Sequence, residues 1–79
     1  MKLIRFTAVW CQPCKALEKN LEAANLDIPI EVVNIDVDEE MAIKFSIRSV
    51  PTLVLYDEKE IARLVGVHSP EKLKEWVNQ

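Results

Sequence analysis

The sequence predicts an α/β fold with the element order βαβαββα. Three observations carry that expectation. Apolar, β-branched runs alternate with stretches of helical period, a short polar turn joins two late strands, and a Ser-Pro pair opens a last amphipathic segment. With 79 residues, 49% of them hydrophobic and 29% charged, the chain reads as one compact domain over 1–79, near the lower size that a single core supports.

Leu3 to Thr7 is apolar on both alternating faces except at Arg5, as suits a central strand covered on two sides. From Pro13 to about Ala24, Leu17, Leu21 and Ala24 recur at helical spacing; Pro13 fits the first turn and Asn25 a stop. Ile30 to Ile35 is β-branched. Its separation from the first strand by a helix implies a right-handed crossover and parallel pairing.

A short helix follows over Glu39 to Phe45, with Asp36, Asp38, Glu39 and Glu40 read as cap and first turn rather than as a cation site. Thr52 to Tyr56 and Ile61 to Val65 form an antiparallel hairpin about Asp57-Glu58-Lys59. Ser69-Pro70 then caps a helix whose apolar stripe is Leu73, Trp76 and Val77.

A net charge of −3, with cations scattered among carboxylates, argues against nucleic acid or an anionic membrane as partner. No apolar run approaches the ~20 residues of a membrane span. Met1-Lys2 leads directly into a strand without signal-peptide architecture, so a cytoplasmic location is expected, a trimmed exported protein being the alternative.

Both cysteines lie in Trp10-Cys11-Gln12-Pro13-Cys14, at the junction of the first strand and first helix. As a staple, so short a loop contributes only about 2 kcal/mol. A zinc site needs about four ligands, and the remaining His68 is far along the chain. A dithiol/disulfide redox pair is the leading reading, with staple and metal as minor alternatives.

With Trp10-Cys11-x-Pro13-Cys14-Lys15, Val33-Asn34-Ile35-Asp36, Ile47-Arg48-Ser49-Val50-Pro51-Thr52 and Val65-Gly66 in this order, the chain resembles the thioredoxin family over nearly its whole length. The resemblance implies a four-stranded mixed sheet with helices on both faces, without the leading strand and helix of full-length thioredoxins, and closer in size to glutaredoxin. It implies a thiol–disulfide oxidoreductase that reduces protein disulfides, holds no bound cofactor or metal beyond the Cys11–Cys14 disulfide, and works as a monomer. Electrons would come from a flavoprotein reductase or from glutathione. A glutaredoxin-like enzyme and a non-enzymatic binding module are the alternatives.

An ordinary thiol is only about 3% ionised at pH 7, and a helix N-terminus favours the anion. Cys11, expected at an exposed lip before the helix, is the candidate attacking thiol, and Cys14, expected to be more sheltered, the resolving one. By resemblance, Pro51 is a cis proline facing the disulfide. The Val50 backbone would pair with an extended substrate segment, and Gly66 would permit its close approach or turn a strand end.

Trp10 is expected on the contact surface beside the disulfide, a buried core position being the alternative. His68, Lys15 and Arg48 read as solvated.

Two departures bear on the chemistry. Gln12 stands where thioredoxins usually have Gly. Arg5 stands where they carry a buried proton-transferring aspartate, and Val32 where they carry its lysine companion. Arg5 cannot act as a base. It would favour the Cys14 thiolate if it lies close by, or else pair with a carboxylate such as Glu31, or be exposed.

Overall fold

The computed structural model describes residues 1–78, in which β1 (Lys2–Thr7), α1 (Gln12–Ala24), β2 (Ile30–Asn34), α2 (Glu39–Lys44), β3 (Thr52–Tyr56), β4 (Glu60–Val65) and α3 (Pro70–Val77) follow the predicted order. The sheet order is β2-β1-β3-β4. β1 pairs parallel with β2, from Leu3 opposite Ile30 to Thr7 opposite Asn34. It pairs antiparallel with β3, which also forms the hairpin with β4, so the sheet is mixed.

Alternation along the central strands sends side chains to two cores. On one face Leu3, Leu53 and Leu55 pack with Leu17, Leu21 and Ala24 of α1 and Leu73 of α3. On the other, Ile4, Phe6 and Val54 pack with Val33 and Phe45 beside α2. Arg5, two residues beyond Leu3, shares its face and therefore points toward α1.

The helix ends follow local chemistry. Asn25 stops α1 in the left-handed conformation at φ 49°. The Asp38 carboxylate accepts the Met41 N–H at 3.2 Å and the Ser69 hydroxyl accepts that of Lys72 at 3.2 Å, capping α2 and α3. β1, α1 and β4 each begin one residue earlier than expected, at Lys2, Gln12 and Glu60, and two elements end one residue early. β2 ends at Asn34, because the Asn34 side chain accepts the Asp36 N–H at 2.9 Å and turns the chain before Ile35 can extend the strand. α2 ends at Lys44, with the buried Phe45 ring serving the core as the cap residue.

Arg63 of β4 ties the hairpin to α2. Its guanidinium donates to both carboxylate oxygens of Glu60, at 2.7 and 2.8 Å, and to the Phe45 carbonyl at 2.8 Å. The hydrogen bond from Arg63 holds the Glu60 carboxyl below its ordinary pKa of 4.5. A carboxyl lowered on folding stabilises the native state above its unfolded pKa, and that contribution disappears as pH falls through the folded value. Urea midpoints of wild type and Glu60→Gln should therefore differ at pH 7 and converge as the pH falls through the lowered Glu60 pKa.

Candidate active site

β1 ends at Thr7, and the chain turns through Ala8–Trp10 into α1, whose N-cap is Cys11 in extended geometry (φ −92°, ψ 104°). The Cys11 N–H donates to the Ala8 carbonyl at 3.2 Å, closing that turn. Cys11 Sγ accepts the Cys14 N–H at 3.1 Å, so this sulfur receives one of the otherwise unpaired donors of the helix start. The two cysteines form a disulfide with Cα atoms 5.3 Å apart.

The sequence places Cys11 at an exposed lip, and here the structure differs. Cys11 and Cys14 are 3% and 2% exposed, because Ala8 and the side chains of Ile35 and Val50 pack around the pair. Exposure does not tell the two sulfurs apart. Position does, since Cys11 is at the helix N-terminus and Cys14 lies inside the first turn.

Val50, in the loop before β3, packs against the cluster of Ala8, Cys11 and Cys14, and the Val50–Pro51 peptide is cis. The Thr52 hydroxyl donates to the Ser49 carbonyl at 2.8 Å within this loop, and the Gly66 N–H donates to the Pro51 carbonyl at 3.0 Å. Gly66 adopts φ +92° at the end of β4, with no heavy atom within 4 Å of where a Cβ would stand. Val50, Pro51 and Gly66 thus come together, and the space over Gly66 is open.

Trp10 is 64% exposed, which excludes the buried alternative, and its indole N–H donates to Asp36 at 2.8 Å. Asp36 therefore anchors Trp10, a role beyond the cap and first turn that the acidic stretch suggests; no local signal in the sequence ties it to a residue 26 positions earlier. Gln12 and Pro13, the first two residues of α1, are exposed beside the disulfide.

Arg5 is buried, and it pairs with neither Glu31 nor solvent. Its Nη2 lies 3.4 Å from Glu18 of α1, while Glu31 takes Lys2 at 2.7 Å. The reason is facial: Arg5 points toward α1, and the Val32 opposite it in register supplies no charge. A cleft of about 380 Å³ adjoins this point, with Arg5, Cys14, Lys15, Glu18 and Asn34 among its walls. Lys15 is thus exposed yet part of this cleft.

His68 is also more engaged than a solvated side chain. Its Nε2 lies 2.9 Å from the Val65 carbonyl, and its own carbonyl accepts from Asn20 at 2.9 Å. Among the described residues no three His, Cys, Asp or Glu side chains are grouped to hold a metal ion, and no helix is long and apolar enough to cross a membrane.

A sequence model of the family described as thioredoxin matches residues 1–79. Thioredoxin of Chlamydia caviae is 41% identical, over 98% of this chain and 79% of its own. Thioredoxin of Rickettsia bellii is 37% identical, over 96% and 77%. Among solved structures, a mutant thioredoxin from Halobacterium salinarum superposes with a TM-score of 0.86 at 30% identity, over 96% of this chain and 70% of that one. Thioredoxin 1 from Thermosipho africanus gives 0.84 at 26%, over 99% and 91%.

Because Gly66 has a positive φ but open space around it, Gly66→Ala should destabilise by about 1–2 kcal/mol from backbone conformation alone. Gly66→Asn should cost less, since Asn enters that region more readily. Denaturant midpoints check the order.

Proposed function

From the premise that this chain belongs to the thioredoxin family and is a thiol–disulfide oxidoreductase, we propose that it reduces disulfides of partner proteins through Cys11 and Cys14, as one thioredoxin-like domain over 1–79. In the first step the Cys11 thiolate attacks a partner disulfide and forms a mixed disulfide. Cys14 then displaces the partner, which leaves reduced while Cys11–Cys14 becomes oxidised. The observation that carries these roles is the N-cap position of Cys11, whose sulfur accepts the Cys14 N–H at 3.1 Å. The same hydrogen bond and the helix dipole favour a thiolate on that sulfur.

The partner segment would lie extended across the Val50–Pro51 loop and over Gly66, with the Val50 backbone pairing to it and Trp10 and Gln12 at its flank. Pro13 starts α1 without requiring a hydrogen bond from its nitrogen. Recharging would come from a flavoprotein reductase, with glutathione as the alternative donor, in the reducing cytoplasm and by a monomer.

Arg5 tunes the couple in this reading. It is buried and shares a cleft with Cys14, so its charge favours the Cys14 thiolate and with it the reduced form.

Cys11→Ser should abolish disulfide reduction, and Cys14→Ser should hold partners as lasting mixed disulfides that mass spectrometry identifies. A binding module would leave the first variant's partner interaction and function intact.

Equilibration in graded thiol/disulfide buffers should give a potential between about −270 and −230 mV. A value above about −200 mV points to an oxidant or isomerase, and the absence of a reversible two-electron step rejects the reading. Arg5→Met, which keeps the apolar stem, should raise the Cys14 pKa and lower the potential, by about 30 mV for each pKa unit. Unchanged titration and potential would remove Arg5 from the site.

A further inference from the structure

The resolving step demands that Cys14 lose its proton as its sulfur bonds to Cys11, yet Cys14 is 2% exposed. The cleft beside it is the route out. It is lined by three charged side chains, Arg5 from β1 and Lys15 and Glu18 from α1, together with the Asn34 amide from β2. Arginine and lysine side chains donate hydrogen bonds and accept none, so Glu18 is the one charged wall group able to take a proton.

Its placement suits the task. Glu18 follows Cys14 by four residues on α1, which puts both side chains on one helix face with Cβ atoms about 5–6 Å apart. Glu18 makes its ion pair with Arg5, and the cleft that Glu18 and Cys14 share leaves room for a water to join them. The cleft, at about 380 Å³, far exceeds the ~10–15 Å³ that a water needs. Arg5 Nη2 approaches one carboxylate oxygen, Oε2, at 3.4 Å and orients the group without occupying the other. With its side chain 54% exposed, Glu18 can also pass a proton on to solvent.

We propose that Glu18 accepts the Cys14 proton, through water in this cleft, during release of the partner. The inference rests on the roles proposed above for Cys11 and Cys14. As the Cys14 Sγ–Cys11 Sγ bond forms, the bond between Cys11 Sγ and the partner sulfur breaks, and its electron pair leaves on the partner thiolate. The Cys14 proton moves to Glu18 and then to solvent or the departing thiolate. Two electrons have then passed from the dithiol to the partner disulfide. When a donor reduces Cys11–Cys14 again, Glu18 returns a proton to Cys14.

The test mixes reduced protein with a symmetric cystine peptide in acid-quenched flow between pH 5.5 and 9, following the Cys11–peptide adduct by mass. Adduct formation depends on peptide concentration and reports Cys11. Adduct decay is independent of it and reports Cys14. Glu18→Gln should leave formation unchanged and slow decay at least fivefold near pH 6, with the deficit closing toward pH 9 as Cys14 ionises unaided. Glu18→Asp should restore part of the rate.

Decay that is unchanged overturns the proposal. So does decay that is faster at low pH, the result expected if Glu18 only neutralises Arg5, or decay slowed equally at every pH, the mark of a structural role. Failure of the wild type to form the adduct would instead overturn the assignment of Cys11, and with it this inference.

Discussion

The whole site hangs on β1, a strand hydrogen-bonded along both edges and covered on both faces. Leu3 and Phe6, both fully buried, lock it between two cores. Shifting its register by one residue would exchange the two faces and turn Arg5 away from α1. The end of β1 therefore has one position, and the turn Ala8–Trp10 delivers Cys11 to the start of α1 from there. The Val50–Pro51 loop is held equally firmly, because β3 pairs directly with β1 and brings Val50 against the cluster of Ala8, Cys11 and Cys14.

Around the disulfide the environment is divided. On one side stand apolar Val50 and Ile35, the open backbone at Gly66 and the indole of Trp10 held by Asp36. On the other, a cleft brings Arg5, Lys15 and Glu18 to the flank of Cys14 alone. This asymmetry suits a two-step exchange. In the proposed exchange the apolar side would receive an extended segment near Cys11, while the charged side adjoins Cys14, the thiol proposed to act second. The Arg5–Glu18 pair is built across two elements, β1 and α1, so the same packing that forms the core also sets the charge distribution around Cys14.

Much of this is legible in the sequence. Helical spacing of Leu17, Leu21 and Ala24, the β-branched run at Ile30–Ile35 and the Ser69-Pro70 cap each encode their element through local preferences, and the structure follows them within a residue or so. Pairing of Trp10 with Asp36, burial of Cys11 and the ionic partner of Arg5 are not legible, since each depends on which elements become neighbours. Arg5 shows this well: its face of β1 is implicit in alternation, but Glu18 becomes its partner only once α1 crosses that face.

By itself, the sequence determined the order of elements, the two-residue spacing of the cysteines at a strand-to-helix junction and the thioredoxin character carried by motifs in series. Those are consequences of hydrophobic period, capping chemistry and short-range spacing, which neighbouring residues specify among themselves. Only the tertiary structure decided that both sulfurs are covered, that Asp36 holds Trp10, and that Arg5 and Glu18 share a cleft with Cys14. Burial and charge pairing between distant segments depend on distances in space, and those exist only after β1 has been enclosed by its neighbours.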